Sequence, residues 1–174
     1  SLKNDKILFT PDRNLGNWVA KQVPEKKVVV YDGCCPIHDV ARGSSVKKVR
    51  EMQPDSVLIA HPECREDICA MADAVASTTG MLDAVARFPE AKTFLIATEN
   101  GIIHQLKKRY PDKEFIVADG CIGCRMNCPY MKVTTLEDVY WALEQERFEV
   151  TVPEDVAAGA RRALERMLAV PRDN

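Results

Sequence analysis

Aromatic residues, excess positive charge and long apolar runs are all scarce in this sequence. Aromatic residues make up 6% of its 174 positions, and 24 lysines and arginines stand against 26 aspartates and glutamates, which gives a net charge of -2. This balance does not supply the basic surface that binds nucleic acids, so we expect no nucleic-acid partner. No apolar run approaches the roughly 18 residues that a membrane span requires, and no signal peptide opens the chain. We therefore expect no membrane association and a cytoplasmic location.

Cysteine, in contrast, is abundant. Seven cysteines are many for this length, and their odd number fits poorly with the paired disulfides of a secreted scaffold. Cys121 and Cys124 have the spacing of half a zinc site or of a redox dithiol. Cys128 is followed by Pro129, which favours an iron–sulfur cluster. Cys69 lies in a helical pattern and is predicted to be a buried small hydrophobe.

Short apolar runs alternate with helical patterns along most of the chain. Strands are predicted at Lys6–Thr10, Lys27–Tyr31, Ser56–Ala60, Thr93–Ala97 and Glu114–Ala118, and helices at 14–23, 38–53, 65–76, 79–88 and 102–110. Because each run is apolar almost throughout, the strands are expected to be buried on both faces of parallel sheets. The predicted fold class is therefore α/β, with three-layer αβα units.

Two further helices are predicted to close the chain without strands of their own. Thr134–Glu137 is typical of a capping box, and Thr151–Glu154 repeats the signal. The segment Val29–Cys34 is similar to Ile116–Cys121, which favours pseudo-symmetric repeats that each carry a thiol at a strand end. The predicted domains are residues 1–33, the end of a preceding α/β unit; 34–120, a complete α/β unit with substrate residues; and 121–174, the cysteine segment and C-terminal helices.

Polar side chains follow four of the predicted strands at the point where each strand ends. They are Cys34, Cys35 and His38; His61, Glu63 and Cys64; Thr98, Glu99 and Asn100; and the segment that begins at Cys121. Ligands bind at the carboxyl ends of parallel strands in open α/β sheets, so these groups predict a site. His61 and Glu63 are two residues apart and face the same way in an extended segment, which suits proton transfer. A histidine paired with a surface glutamate is the plainer interpretation.

Hydroxyl side chains precede the predicted helix at 79–88. Ser77 and Thr78 suit a substrate carboxylate or phosphate. They equally suit an ordinary helix N-cap, and one residue can do both.

Six motifs, in order along the chain, resemble quinolinate synthase. They are Phe9–Gly16, Gly33–His38, His61–Glu63, Ala72–Thr78, Thr98–Glu99 and Cys128–Met131. The resemblance implies an enzyme that condenses iminoaspartate with dihydroxyacetone phosphate to give quinolinate in NAD biosynthesis. It also implies three pseudo-symmetric α/β domains that hold a [4Fe–4S] cluster through one cysteine each, and L-aspartate oxidase as the partner that supplies iminoaspartate.

The same resemblance implies roles for individual residues. Cys35 and Cys128 are implied as cluster ligands; His38, His61 and Glu63 as catalytic and substrate-binding residues; and Ser77 and Thr78 as ligands of a substrate carboxylate or phosphate. Three thiolates on four irons leave one iron open as a Lewis acid. Cys121 and Cys124 are similar to an extra pair that some members oxidise, although the spacing to Cys128 is one residue longer here.

The family pattern includes an N-terminal portion that carries the first cluster cysteine. Residues 1–20 contain no cysteine, and the first residue is Ser rather than Met. We therefore expect the chain to be a fragment that a missing N-terminal portion or a separate chain completes.

Two other functions stay open from the residues alone. A non-catalytic zinc or dithiol redox module would use Cys121, Cys124 and Cys128. A dicarboxylate-binding protein without a metal would keep all seven thiols structural.

Overall fold

The computed structural model describes residues 3–119 and 126–170. The chain divides into two units, a larger one at Asn4–Cys128 and a smaller one that begins at Pro129. Within the described ranges, no helix is both long and apolar enough to cross a membrane.

The larger unit opens with two parallel strands and one helix. These are β1 (Lys6–Phe9), α1 (Arg13–Gln22) and β2 (Lys27–Val30), with Ile7 opposite Val28 and Phe9 opposite Val30. Gly16 allows α1 to lie close to the strands, because a Cβ at this position would come within 2.7 Å of Val30 Cγ1. The helix begins after Asp12, which caps it.

A second sheet of four parallel strands follows. Its elements are α2 (Pro36–Val40), α3 (Gly43–Met52), β3 (Val57–Ala60), α4 (Glu66–Met71), β4 (Ala74–Val75), α5 (Thr78–Ala84), β5 (Thr93–Ala97), α6 (Ile102–Arg109) and β6 (Glu114–Val117). A 3-10 turn at Val85–Arg87 continues α5. The strand order is β4-β3-β5-β6, and Leu58 of β3 lies opposite Leu95 of β5.

Helices cover both faces of this sheet. Leu58 and Leu95 belong to one core, which contains buried residues of α2, α3 and α4, whereas Ile59 and Phe94 belong to a second core with α5 and α6. Successive residues of a strand point to opposite faces, so neighbours in β3 enter different cores. The result is a three-layer αβα arrangement with a parallel sheet, and the predicted fold class is confirmed.

Several predicted helices end elsewhere than expected. The helix predicted at 38–53 is two helices, α2 and α3, because Ala41 and Arg42 have extended backbone angles. The helix predicted at 65–76 ends at Met71 and is followed by β4, a strand that the sequence did not indicate. Asp73 explains this change, because its backbone N–H donates to Leu58 O at 2.9 Å and its carboxylate accepts from Leu58 N at 2.8 Å. These bonds hold the chain against β3.

The smaller unit contains a 3-10 turn at Tyr130–Lys132 and two helices, α7 (Leu136–Gln145) and α8 (Glu154–Leu168). The capping box of α7 is formed by Thr135 and Asp138, one residue later than predicted. The second predicted cap is wrong, because Pro153 is the residue before α8 and no side chain caps that helix. Two C-terminal helices are nevertheless present, as expected.

Candidate functional site

Cys35 and His38 are presented by the turn between β2 and α2. Cys35 precedes the helix, and Pro36 occupies the first helical position, where its missing N–H is not needed. The backbone N–H of Cys35 donates to Asp12 Oδ2 at 2.6 Å. His38 lies one turn further along α2 and is buried. The start of this short helix therefore places a thiol and an imidazole close together.

His61 and Glu63 follow β3 in a tight turn. The backbone N–H of His61 donates to Ala97 O at 3.0 Å, which continues the pairing with β5, and Cys64 N closes the turn on His61 O at 2.9 Å. The buried Cys64 thiol donates to Ala97 O at 3.2 Å. These bonds fix the turn from which both polar side chains project.

The two turns bring their side chains into contact. One ligand atom each from Cys35, His38 and Glu63 lies within 4.8 Å of the other two. Glu63 Oε2 lies 3.0 Å from His38 Nδ1 and 3.8 Å from His61 Nδ1. The two imidazole rings stack with centroids 4.8 Å apart. We call Cys35, His38, His61 and Glu63 the four-residue site.

His38 is a neutral histidine at the centre of this site. Its Nε2 lies 2.9 Å from Thr98 Oγ1, a hydrogen bond that reaches the end of β5. Burial, assisted by the neighbouring His61, lowers the pKa of His38 to about 4. Its Nδ1 is close to Glu63 but is not aligned for a hydrogen bond, so among residues 3–119 and 126–170 this buried nitrogen has no hydrogen-bond partner. It is the kind of polar atom that a bound ligand satisfies.

Burial also shifts the other three groups of the site. It lowers the pKa of His61, whose Nδ1 accepts a hydrogen bond from Glu63 N at 3.3 Å and leaves the proton of the neutral ring on Nε2. It raises the pKa of Glu63, with a further contribution from the nearby Asp12 carboxylate. It raises the pKa of the Cys35 thiol as well. The site thus combines sulfur, nitrogen and oxygen donors whose pKa values are all shifted in the direction that disfavours the charged form.

The sequence of the chain is similar to those of known proteins. The family model described as quinolinate synthetase A protein matches residues 1–169. The chain belongs to this family. The resemblance predicted from the motifs is confirmed. Membership associates the chain with an enzyme family of NAD biosynthesis.

Individual quinolinate synthases are similar over nearly the whole chain. The protein of Caldicellulosiruptor saccharolyticus is 46% identical over 165 residues, which cover 95% of this chain and 53% of that protein. The protein of Geobacter metallireducens is 44% identical over 173 residues, covering 99% and 55%, and that of Synechocystis sp. is 39% identical over 168 residues, covering 96% and 52%. The chain therefore spans about half the length of the curated quinolinate synthases that it matches.

Cys128 lies near the end of β5 and is tied to it through Glu99. The buried Glu99 carboxylate accepts hydrogen bonds from Gly101 N at 2.7 Å and from Cys128 N at 3.3 Å. Cys128 packs against the same core as Cys35. Cys121 and Cys124, on which the zinc or dithiol alternative depends, lie outside the described residues. The role of Cys128 as a ligand in this quinolinate synthetase family member stays a prediction.

Ser77 and Thr78 are placed at the start of α5, after the edge strand β4. The Ser77 hydroxyl accepts a hydrogen bond from Gly80 N at 3.3 Å, so the N-cap interpretation is confirmed for Ser77. Both side chains are exposed. Their binding of a substrate carboxylate or phosphate stays a prediction.

Cys69, predicted to be buried, is buried. Its Sγ lies 3.6 Å from both His61 O and Cys64 O, to either of which its one hydrogen can be donated, and burial raises its pKa to about 11. Such a thiol is protonated at neutral pH and acts as a packing group with a weak donor.

Two residues that support the site were not predicted to do so. Asp12 holds the Cys35 turn, and Asn14 Nδ2 donates both to Asp39 Oδ1 at 3.1 Å and to Glu63 O at 3.0 Å. Asn14 therefore connects α2 to the turn after β3. Both residues lie in the first resembling motif, and an acid at a helix N-cap was the available signal. The sequence did not show which distant backbone these side chains reach.

Proposed function

We propose that this chain is part of a quinolinate synthase that forms quinolinate from iminoaspartate and dihydroxyacetone phosphate. The observation that carries the proposal is the four-residue site, in which Cys35, His38 and Glu63 converge within 4.8 Å. Family membership supplies the reaction class, and the convergence supplies groups suited to it. Because the chain spans about half of its relatives, an N-terminal portion or a second chain is proposed to complete the site.

The donor atoms suit an iron–sulfur cofactor. Thiolates are the usual protein ligands of such clusters. His38 Nδ1, which has no hydrogen-bond partner in the described part of the chain, lies beside the Cys35 turn as a buried polar group that a ligand can satisfy. Cys35 and Cys128 would hold a [4Fe–4S] cluster together with a third cysteine from the completing portion. When bound, the cluster supplies an open iron that acts as a Lewis acid. Since burial raises the pKa of Cys35, ligation there must release a proton.

The residues beside Cys35 are proposed to move protons. Forming quinolinate requires removal of protons from carbon and protonation of a departing hydroxyl. Neutral His61 carries its proton on Nε2 and is suited to donate a hydrogen bond from this atom to a substrate oxygen. Glu63 has a raised pKa, which brings its two forms closer together in free energy at neutral pH, as proton exchange requires. His38 is held by Thr98, and its Nδ1 lies 3.0 Å from Glu63 Oε2.

Binding of the substrates is assigned to the two hydroxyls at the start of α5. Ser77 and Thr78 are exposed and offer hydrogen bonds to a carboxylate or phosphate. An oxidase that acts on L-aspartate is the proposed source of iminoaspartate. The reaction is placed in the cytoplasm, where ligand thiols stay reduced.

Iron analysis of cysteine variants tests this function. The chain is purified without air, together with the N-terminal portion of a relative, and is expected to bind about four irons per completed site. Cys35→Ala and Cys128→Ala should each abolish iron retention, because each removes a ligand. Cys34→Ala is the matched control, since Cys34 is the exposed neighbour of Cys35 and should retain the parental iron content.

Each other result contradicts the proposal in a different way. Zinc in place of iron would support the dithiol or zinc module. Equal iron retention by Cys35→Ala and the parent would remove Cys35 from the ligand set. Iron without formation of quinolinate from the two substrates would contradict the assigned reaction.

A further inference from the structure

Asp12 is a buried acid that uses both of its carboxylate oxygens. The residue is 4% exposed. Its Oδ1 accepts a hydrogen bond from Leu15 N at 2.7 Å, and its Oδ2 accepts one from Cys35 N at 2.6 Å. The first bond is local to α1, and the second reaches a residue 23 positions later.

The helix cap alone does not require this side chain. Ser and Asn cap a helix about as well as Asp does, through a single acceptor atom. Burying a carboxylate costs more free energy than burying a hydroxyl, unless hydrogen bonds to both carboxylate oxygens offset the cost. The second oxygen of Asp12 is satisfied by the Cys35 backbone, so the two bonds together account for an acid at this position.

The neighbouring backbone already brings the two segments together. Tyr31 N donates to Phe9 O at 2.9 Å, and Arg13 N donates to Gly33 O at 2.7 Å. Asp12 continues this series to the backbone of Cys35, the residue that carries the thiol. Beyond it the chain enters α2, where Asp39 N donates to Cys35 O at 2.9 Å. The peptide groups on both sides of the Cys35 Cα are therefore held, which sets the direction of its Cα–Cβ bond.

We propose that Asp12 is a positioning residue for the Cys35 thiol. By holding Cys35 N, its carboxylate directs the sulfur towards the ligand atoms of His38 and Glu63. Asp12 acts through Cys35 and does not itself bind the ligand. This inference rests on the proposed function, in which Cys35 is a metal ligand.

Two variants separate the two bonds of Asp12. Asp12→Ser keeps a good cap for α1 but has no second oxygen for Cys35 N. Asp12→Asn keeps the shape of the side chain and one acceptor oxygen, so it also satisfies only one of the two N–H groups. Thr135→Ala is the matched control, because it removes a cap bond from α7, a helix that does not carry the cysteine turn.

The first measurement is amide hydrogen exchange in the metal-free chain. In Asp12→Ser, exchange at Cys35 should be faster than in the parent by about tenfold or more, while exchange at Leu15 should change by less than about threefold. Thr135→Ala should change neither amide. Unchanged protection of Cys35 in Asp12→Ser would overturn the proposal, because Oδ2 would then not hold that backbone.

The second measurement is the rate at which a chelator removes iron from the anaerobically loaded protein, completed as above. Asp12→Ser and Asp12→Asn should each lose iron about tenfold faster than the parent, and Thr135→Ala should lose it at the parental rate. If the parent takes up iron and Asp12→Ser loses it no faster, Asp12 supports only the fold and the proposal fails alone. If the parent takes up no iron, the proposed function fails and this inference fails with it.

Discussion

His38 shows at the scale of one residue how burial selects a protonation state. Its side chain is buried beside a second imidazole, which lowers its pKa from the usual 6.5 to about 4. The unfolded chain therefore binds a proton at this residue between those two values, whereas the folded chain does not. Stability linked to His38 is present above the unfolded pKa and is lost as the pH falls towards the folded one.

The corresponding prediction concerns the metal-free chain. As the pH falls from about 7 to about 5, protonation of His38 in the unfolded chain should lower the free energy of unfolding by about 2 kcal/mol. In His38→Gln this part of the pH dependence should disappear, because an amide does not titrate. Urea unfolding of both proteins at the two pH values gives the difference. The pKa of Glu63 is raised, so its contribution to the free energy of unfolding falls as the pH rises above its unfolded pKa. Glu63 is present in both proteins, and its contribution therefore largely cancels when the two pH profiles are subtracted. Parallel pH profiles of the two proteins would contradict a depressed His38 pKa.

The sequence indicated which residues form the site better than it indicated the contacts between them. His61 and Glu63 were predicted from strand-end position and spacing, and the structure places them in one turn. No sequence pattern indicated that the closer contact of Glu63 is with His38, or that Thr98 holds the other nitrogen of that ring. These relations depend on how two turns approach each other across a sheet, and local patterns carry no information about that distance.

At the scale of secondary-structure elements, apolar runs predicted strands to within a residue or two. β5 was predicted with its observed bounds, Thr93–Ala97, because a run of this length between polar segments fits a strand buried on both faces. β4 was missed because a strand of two residues has no periodicity to detect. Its position is set by Asp73, whose carboxylate accepts from Leu58 N and binds Arg50 Nη2 at 2.8 and 2.9 Å.

Asp73→Ala should therefore destabilise the sheet. The substitution leaves the N–H of the buried Leu58 without its acceptor, and we expect the free energy of unfolding to fall by about 2 kcal/mol. Asp83→Ala is the control, because Asp83 forms an exposed ion pair with Arg109 at 2.9 Å whose loss should cost less than about 1 kcal/mol. Chemical unfolding of the three proteins measures both values. Equal losses in the two variants would show that the Leu58 contact does not stabilise β4.

Asn14 links two segments that carry residues of the site. Its amide connects α2, through Asp39, with the turn after β3, through Glu63 O. Asn14→Asp keeps the size of the side chain but removes both donor hydrogens and adds a charge beside Asp39. We expect this variant to keep Cys35 amide protection, since Asp12 is unchanged. In the completed protein, the rate of the proposed quinolinate formation should fall by about tenfold or more. Wild-type turnover would show that the two turns hold their spacing without this link.

At the scale of the whole molecule, the two units differ in how far their apolar side chains are buried. In the larger unit, Leu58 and Phe94 are fully buried. In the smaller one, α7 carries a stripe of Leu136, Val139, Tyr140 and Leu143, and every member is exposed. Amphipathic helices of this kind normally bury their apolar face, whereas the apolar face of α7 is exposed. A contiguous exposed patch of large apolar groups is expected to have measurable surface properties.

The exposed stripe on α7 should bind the dye ANS. Leu136 is 86% exposed and Leu143 is 80% exposed, so replacing both with Glu removes apolar surface while removing few buried contacts. We expect Leu136→Glu with Leu143→Glu to reduce ANS fluorescence by about half, and to change the free energy of unfolding by less than about 1 kcal/mol. Gln145→Glu is the control: it adds charge at an exposed position of the same helix, removes no apolar side chain, and should leave ANS fluorescence at the parental level. A large loss of stability in the double variant would mean that these leucines are packed against other apolar groups, because exposed side chains contribute little to the folded state.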